Sequence, residues 1–179
     1  MIDPAVLDRL AESLPENGEP SYADRIAVRR ELDAESLLRL EESCARRVFP
    51  VWEAMFTGDE QPVRVMEAAL AARSGLAREL GELRVHLDSA FDRGDEAFAA
   101  IYAGNACWAV ARDAVGDVTE VPEGDGELEV DPAEWSPCFY ASIAEAGGAV
   151  WEEGVGDNEK RRAFWRWYLL EAVPAAQAG

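Results

Sequence analysis

The chain has 179 residues, a length that suits one domain; 49% of them are hydrophobic and six are Trp, enough for a packed core and too many for general disorder. Thirty-six Asp and Glu oppose 17 Lys and Arg, for a net charge of −19. Such a surface repels nucleic acid and anionic lipid, which both need a basic footprint, and it attracts cationic partners.

The three cysteines, Cys44, Cys107 and Cys138, lie far apart and form no CxxC. They read as small buried thiols of a reducing compartment, with no disulfide framework and no zinc site. The sequence opens with no charged-then-apolar leader, and no apolar run approaches the length of a membrane span, about 18 residues. The expected location is the cytoplasm.

In chain order, Asp3-Pro4 supplies an N-cap and first turn, and Leu7, Leu10 and Leu14 follow at helical spacing until Pro15 to Pro20 interrupt. Tyr22 to Leu32 suits a short, charged helix. The strongest pattern runs from Glu35 to Phe56, where Leu37, Leu40, Cys44, Val48, Val51 and Met55 form one apolar stripe. Pro50 lies inside it and predicts a kink or break. After a turn at Thr57 to Gln61, Pro62 starts a helix to Arg73, with Val63, Met66 and Leu70 inward. Leu76 to Phe91 is a further helix, and Asp95 is expected to cap another reaching Val115, with Phe98, Ile101, Tyr102, Trp108 and Ala109 on its inner face.

Gly116 to Glu134 is acidic throughout and lacks Lys and Arg. Leu128 and Val130 alternate with acids, which allows a short edge strand. Ser136-Pro137 then starts a helix carrying Phe139, Ile143 and Val150, weakened at Gly147-Gly148. The last helix is expected over Asn158 to Ala172, capped by Asp157, with apolar side chains from Phe164 to Leu170 on more than one side. The predicted fold is therefore all-α: a single helical domain over 1–179, with six or more helices in orthogonal or bundle-like packing and an acidic loop or insertion at 116–134.

Catalytic signals are sparse. His86 is the sole histidine, and Asp88 and Ser89 occupy other faces of its helix, so no triad forms locally. Glu82 is one residue too far from His86 for a Glu-x-x-His di-metal pair. No phosphate-binding glycine loop and no GxSxG elbow are present. Glu41-Glu42 and Glu152-Glu153 read as solvated faces, Asn105 as a hydrogen-bonded core residue, and the C-terminal aromatics as core in preference to a cage for a cation. No enzyme activity, cofactor or metal is expected.

The stretch Arg46-Arg47-Val48-Phe49-Pro50-Val51-Trp52-Glu53, then Gly58-Asp59, Pro62 and Glu67-Ala68-Ala69, resembles a largely α-helical family of bacterial immunity proteins of polymorphic toxin systems. The ending Lys160-Arg161-Arg162-Ala163-Phe164-Trp165-Arg166-Trp167-Tyr168-Leu169, with Glu171-Ala172-Val173-Pro174, resembles the same family's C-terminus. The two blocks bracket residues 35–174. Where the family pattern has Arg-Pro-Arg, this chain has Gln61-Pro62-Val63, and the helix around Asn105-Ala106-Cys107-Trp108 lacks the family's histidines. The resemblance implies a protein that binds a toxin and blocks it. It implies no catalytic residues; Trp52 and Trp165 become core, and Glu53 and Asp59 polar fixtures at the kink and turn.

The partner is therefore expected to be a cognate toxin domain, with a basic nuclease as the best guess, blocked by steric and electrostatic occlusion. The rival readings are an acidic adaptor or chaperone for a basic protein, and a carboxylate–metal hydrolase. The candidate binding residues are Asp117, Glu120, Glu123, Asp125, Glu127, Glu129 and Asp131, seven carboxylates with no cation among them.

Overall fold

A computed structural model describes residues 2–116, 118–119, 126, 129–152 and 154–179, and every regular element among them is helical. α1 spans Pro4–Glu12, and the Asp3 carboxylate accepts from the Ala5 N–H at 2.9 Å. α2, Tyr22–Arg30, is capped by Ser21. α3, Ala34–Met55, is capped by Asp33, which accepts from the Ser36 N–H at 2.8 Å. α4 is Gln61–Ala72 and α5 is Ala77–Ala90. α6, Phe98–Val115, is entered through a 3₁₀ turn at Asp95–Ala97. The expected helix start at Asp95 is thus replaced by a tighter turn following Gly94, whose φ of 86° few other residues adopt. α7 is Pro137–Ala146 and α8 is Asn158–Trp167.

α3 does not break at Pro50. The ring is exposed, whereas Phe49 and Trp52 on either side are buried and hold both halves of the helix against the same core. Tertiary packing here overrides a local cost of about 3 kcal/mol. The end of the chain departs from expectation in another way. The helix continues past Ala172 through a π turn, Tyr168–Ala172, into α9, Val173–Ala178, and the Val173 N–H reaches back five residues to the Tyr168 carbonyl. Pro174 explains the turn: it has no N–H for the Leu170 carbonyl and its ring would collide there in a regular helix, so the preceding turn widens. Phe164, Trp165, Tyr168 and Leu169 are buried, and Leu170 remains partly exposed.

α6 occupies the centre and touches α3, α4, α5 and α7. Its buried positions are mostly small: Ala100, Ala103, Gly104, Ala106, Ala109, Ala111 and Ala114. Small side chains let larger ones from the neighbouring helices sit close to its backbone. Gly104 is the tightest point, since a Cβ there would lie 2.5 Å from Leu87 Cδ2 and 3.0 Å from the Trp52 ring. Trp52 is fully buried beneath it, stacks on Phe56 with ring centres 4.2 Å apart, and donates its Nε1–H to the Asp59 carbonyl at 2.9 Å. One indole therefore joins α3, the α3–α4 turn and α6. Trp165 is equally buried, within an edge-to-face run of Phe164, Trp165 and Tyr168. The expected core roles of both tryptophans are found. No described helix is long and apolar enough to cross a membrane.

Two measurements check this packing. Trp52→Ala should cost about 3–5 kcal/mol, and Gly104→Ala about 1–3 kcal/mol through overpacking, both read from denaturant midpoints. The helix caps predict a pH effect. Backbone N–H bonds hold the Asp33 and Asp157 carboxyls below their ordinary value, so their contribution is present above about pH 4 and lost as pH falls through the lower native value. Asn accepts the same bonds without titrating. Asp33→Asn with Asp157→Asn should leave neutral stability nearly intact and flatten the acid side of the pH–stability curve below about pH 4.

Candidate functional site

Of the seven candidate carboxylates, Asp117, Glu120, Glu123, Asp125 and Glu127 lie outside the described residues. Glu129 and Asp131 lie within them and are exposed. The Glu129 N–H bonds the Gly126 carbonyl at 3.0 Å. Asp131 accepts from the Ala133 N–H at 2.8 Å and so caps a 3₁₀ turn at Pro132–Glu134. Among the described residues no strand forms: Val130 is buried beside that turn, and Leu128, its expected strand neighbour, lies outside them.

The described residues flanking the acidic segment are fastened to the core. At its start Val118 is buried, and its carbonyl accepts from Arg29 Nη2 at 3.1 Å. At its end, Arg112 donates to the carbonyls of Ala133 and, at 3.1 Å, Trp135. The Tyr140 hydroxyl donates to the Pro132 carbonyl. Both arginines have buried counter-charges. Arg29 pairs with Glu41, and Arg112 with Asp113 at 2.6 Å. Glu41 is fully buried, so the reading of Glu41-Glu42 as a solvated face fails for its first member. Burial pushes the Glu41 carboxyl up from the ordinary range, the Arg29 guanidinium pulls it back, and Asp113 adds to the rise. Burial works against the charge of Arg29, but Glu41, with Cys138 and Asp113 beside it, raises its pKa overall.

The other candidate acids are engaged locally. Glu42 pairs with Arg46 at 2.8 Å, Glu152 accepts from the Ala149 N–H at 2.7 Å, and Glu153 lies outside the described residues. A groove of about 400 Å³ between α3 and α4 is lined by Glu35, Arg39, Glu42, Arg46, Glu67 and Arg73 among others. Its acids and arginines pair with one another, so it offers no net charge to an ionic ligand.

His86 Nε2 lies 2.6 Å from Asp59 Oδ2. The Asp59 side chain also accepts from the Gln61 N–H at 3.0 Å, so it fixes the α3–α4 turn against α5, as expected of a polar fixture. Ser89 Oγ donates to the His86 carbonyl and not to the ring. Asn105 is buried, donates to the Ile101 carbonyl at 3.0 Å and accepts from Arg84 at 3.3 Å, the core role expected of it. The aromatic cluster of α8 already faces cations of this chain: Arg47 lies 4.4 Å from the Trp167 ring centre and Arg25 lies 5.4 Å from that of Trp165. Among the described residues no group of three or more His, Cys, Asp and Glu side chains could hold a metal ion.

Among the described residues, arginines thus fasten the backbone on both flanks of the acidic segment. The family model for Immunity protein Imm5 matches residues 21–175. The chain belongs to the Imm5 immunity protein family. The match extends the resemblance seen in the two sequence blocks to nearly the whole chain, α1 excepted. A comparison with curated proteins finds no match. Immunity proteins bind a toxin, so for this Imm5 family member the functional site is a protein-binding face. Sequence reasoning did not identify Arg29 and Arg112 as the residues that fasten the flanks of the acidic segment. The available signal was Glu41, an acid set inside the apolar stripe of α3, which needs a buried cation.

The anchor can be tested by a double-mutant cycle. Arg29→Met leaves Glu41 buried without its partner and should cost about 3–5 kcal/mol. Adding Glu41→Leu should restore at least half of that loss, read from urea midpoints.

Proposed function

We propose that this chain neutralises a basic toxin domain encoded beside it, of the kind that acts on nucleic acid, by steric and electrostatic occlusion in the cytoplasm of the producing cell. Membership of an immunity family supports the partner class. The single observation that carries the electrostatic part is the charge balance: 36 carboxylates against 17 cations, with Arg25, Arg29 and Arg161 buried together with Glu19, Glu41 and Asp113 among the described residues. A nuclease needs a basic surface to hold phosphate, and an acidic inhibitor occupies that surface by offering carboxylates in its place. No covalent chemistry, metal or cofactor enters this mechanism. The acids from Asp117 to Asp131 form the proposed contact, because they carry no compensating cation and are flanked by backbone fastened to the core.

The test replaces Glu123, Asp125, Glu127 and Glu129 by Gln and Ser. Exposed charges govern encounter more than lifetime. Association with the neighbouring toxin domain should slow about tenfold at low salt and lose most of its salt dependence, while the dissociation rate and thermal midpoint change little. Unaltered association at every salt concentration would falsify the assignment of this segment.

A further inference from the structure

The segment joining α7 to α8 combines a fixed backbone with outward-facing apolar side chains. α7 ends at Gly147, whose φ of 80° turns the chain, and the N–H groups of Gly147 and Gly148 both return to the Ile143 carbonyl, at 2.9 and 3.1 Å. Arg161 Nη2 donates to the Gly148 carbonyl at 2.7 Å, and the Asp157 N–H bonds the Ala146 carbonyl at 2.8 Å, closing the base of the loop. A Cβ on Gly148 would meet Val155 Cγ1 at 2.5 Å, so the returning strand of the loop lies directly on the outgoing one.

This loop carries Trp151, 40% exposed, and Val155, 50% exposed. The same chain buries Trp52 and Trp165 completely. Trp151 is nonetheless held in place, packed against Trp135 with ring centres 5.6 Å apart and against Phe139 at 5.9 Å. A large aromatic side chain that is already immobilised loses little entropy when a partner covers it, which is the physical basis of an interface hot spot. Its surroundings are acidic. Glu152 is its chain neighbour, and Trp135, against which it packs, directly follows the exposed Glu134 and the Asp131 turn. An exposed indole on a chain of net charge −19 attracts a side chain that is both cationic and able to lie on an aromatic face.

We propose that Trp151 and Val155 form the apolar centre of the toxin interface, and that Trp151 receives an Arg or Lys side chain of the basic toxin. This rests on the toxin-binding reading above and adds to it the position of the contact that sets the lifetime of the complex. The described end of the acidic segment, the exposed Glu129 and Asp131, leads through the turn at Pro132–Glu134 into Trp135, on which Trp151 packs. The acids speed encounter and the indole retains the partner.

The experiment measures binding of the full chain to the toxin domain encoded beside it, by surface-captured kinetics across a salt series. Trp151→Ala should raise the dissociation rate about thirtyfold, and Val155→Lys about tenfold, since it removes apolar contact and opposes a basic partner. Because Trp151 carries no charge, Trp151→Ala should leave the salt slope of association as in the parent, unlike the carboxylate replacements. Val85→Ser, on the exposed face of α5, should stay within about twofold. Parent-like dissociation of both Trp151→Ala and Val155→Lys overturns the proposal. So does a loss confined to Val85→Ser, which would move the interface to α5. If Trp151→Ala fails to fold, Val155→Lys decides alone, since its side chain is half exposed and its replacement removes little core. If the parent chain shows no binding to the toxin, the toxin reading itself falls and takes this inference with it; if the parent binds and Val155→Lys binds equally, only the interface assignment falls.

Discussion

The non-helical parts of this molecule depend on guanidinium groups that reach backbone carbonyls. Arg162 donates to Leu14, Pro15 and Glu16, Arg161 to Asn17 and Gly148, and Arg166 to Ala11, so α8 holds down the whole connection after α1. Arg39 ties the Ala176 carbonyl near the C-terminus to α3, and Arg29 and Arg112 fasten the flanks of the acidic segment. All but one of the seventeen cations are Arg, Lys160 being the exception. A guanidinium has five donors in a planar fork and can serve a carboxylate and a carbonyl together, which an ammonium on a flexible stem does less well. Helices leave terminal carbonyls without partners, and a chain of many short connections has many of them.

Among the described residues Arg25, Arg29 and Arg161 are buried together with Glu19, Glu41 and Asp113, so burial removes charge of both signs equally and the excess of acids in the sequence is left to the surface. Arg29, Arg39 and Arg112 thus serve the scaffold, while the acids in excess carry the electrostatic part of the proposed toxin contact.

Much of the fold was legible in the sequence because period and caps agreed. The stripe of α3, the caps Asp3 and Asp157, and the tryptophans at 52 and 165 all read correctly, since burial and capping are local consequences of spacing. The misses were non-local. The unbroken helix at Pro50 depends on a core that the local pattern does not show. The burial of Glu41 depends on Arg29, which is twelve residues away on another helix. The π turn depended on reading Pro174 as part of a helix and not as its end. Arg73 closes α4 in the left-handed region at φ 56°, a position where Gly is the usual signal, and its side chain instead bonds the Leu70 carbonyl. Of the site, the acidic segment was visible in composition alone; Trp151 was not, because a lone Trp between glycine pairs has no periodicity to place it.

The three thiols give the molecule a built-in reporter. Cys44, Cys107 and Cys138 are almost wholly inaccessible, and burial pushes their pKa values up, that of Cys107 to about 12. Alkylating reagents need a thiolate they can reach. Modification of the native protein must therefore wait for the helices to separate, and because the cysteines sit on α3, α6 and α7, each records the opening of a different part of the same core. Equal labelling rates at all three would mean that the domain opens as one cooperative unit; unequal rates would divide it into regions that exchange independently.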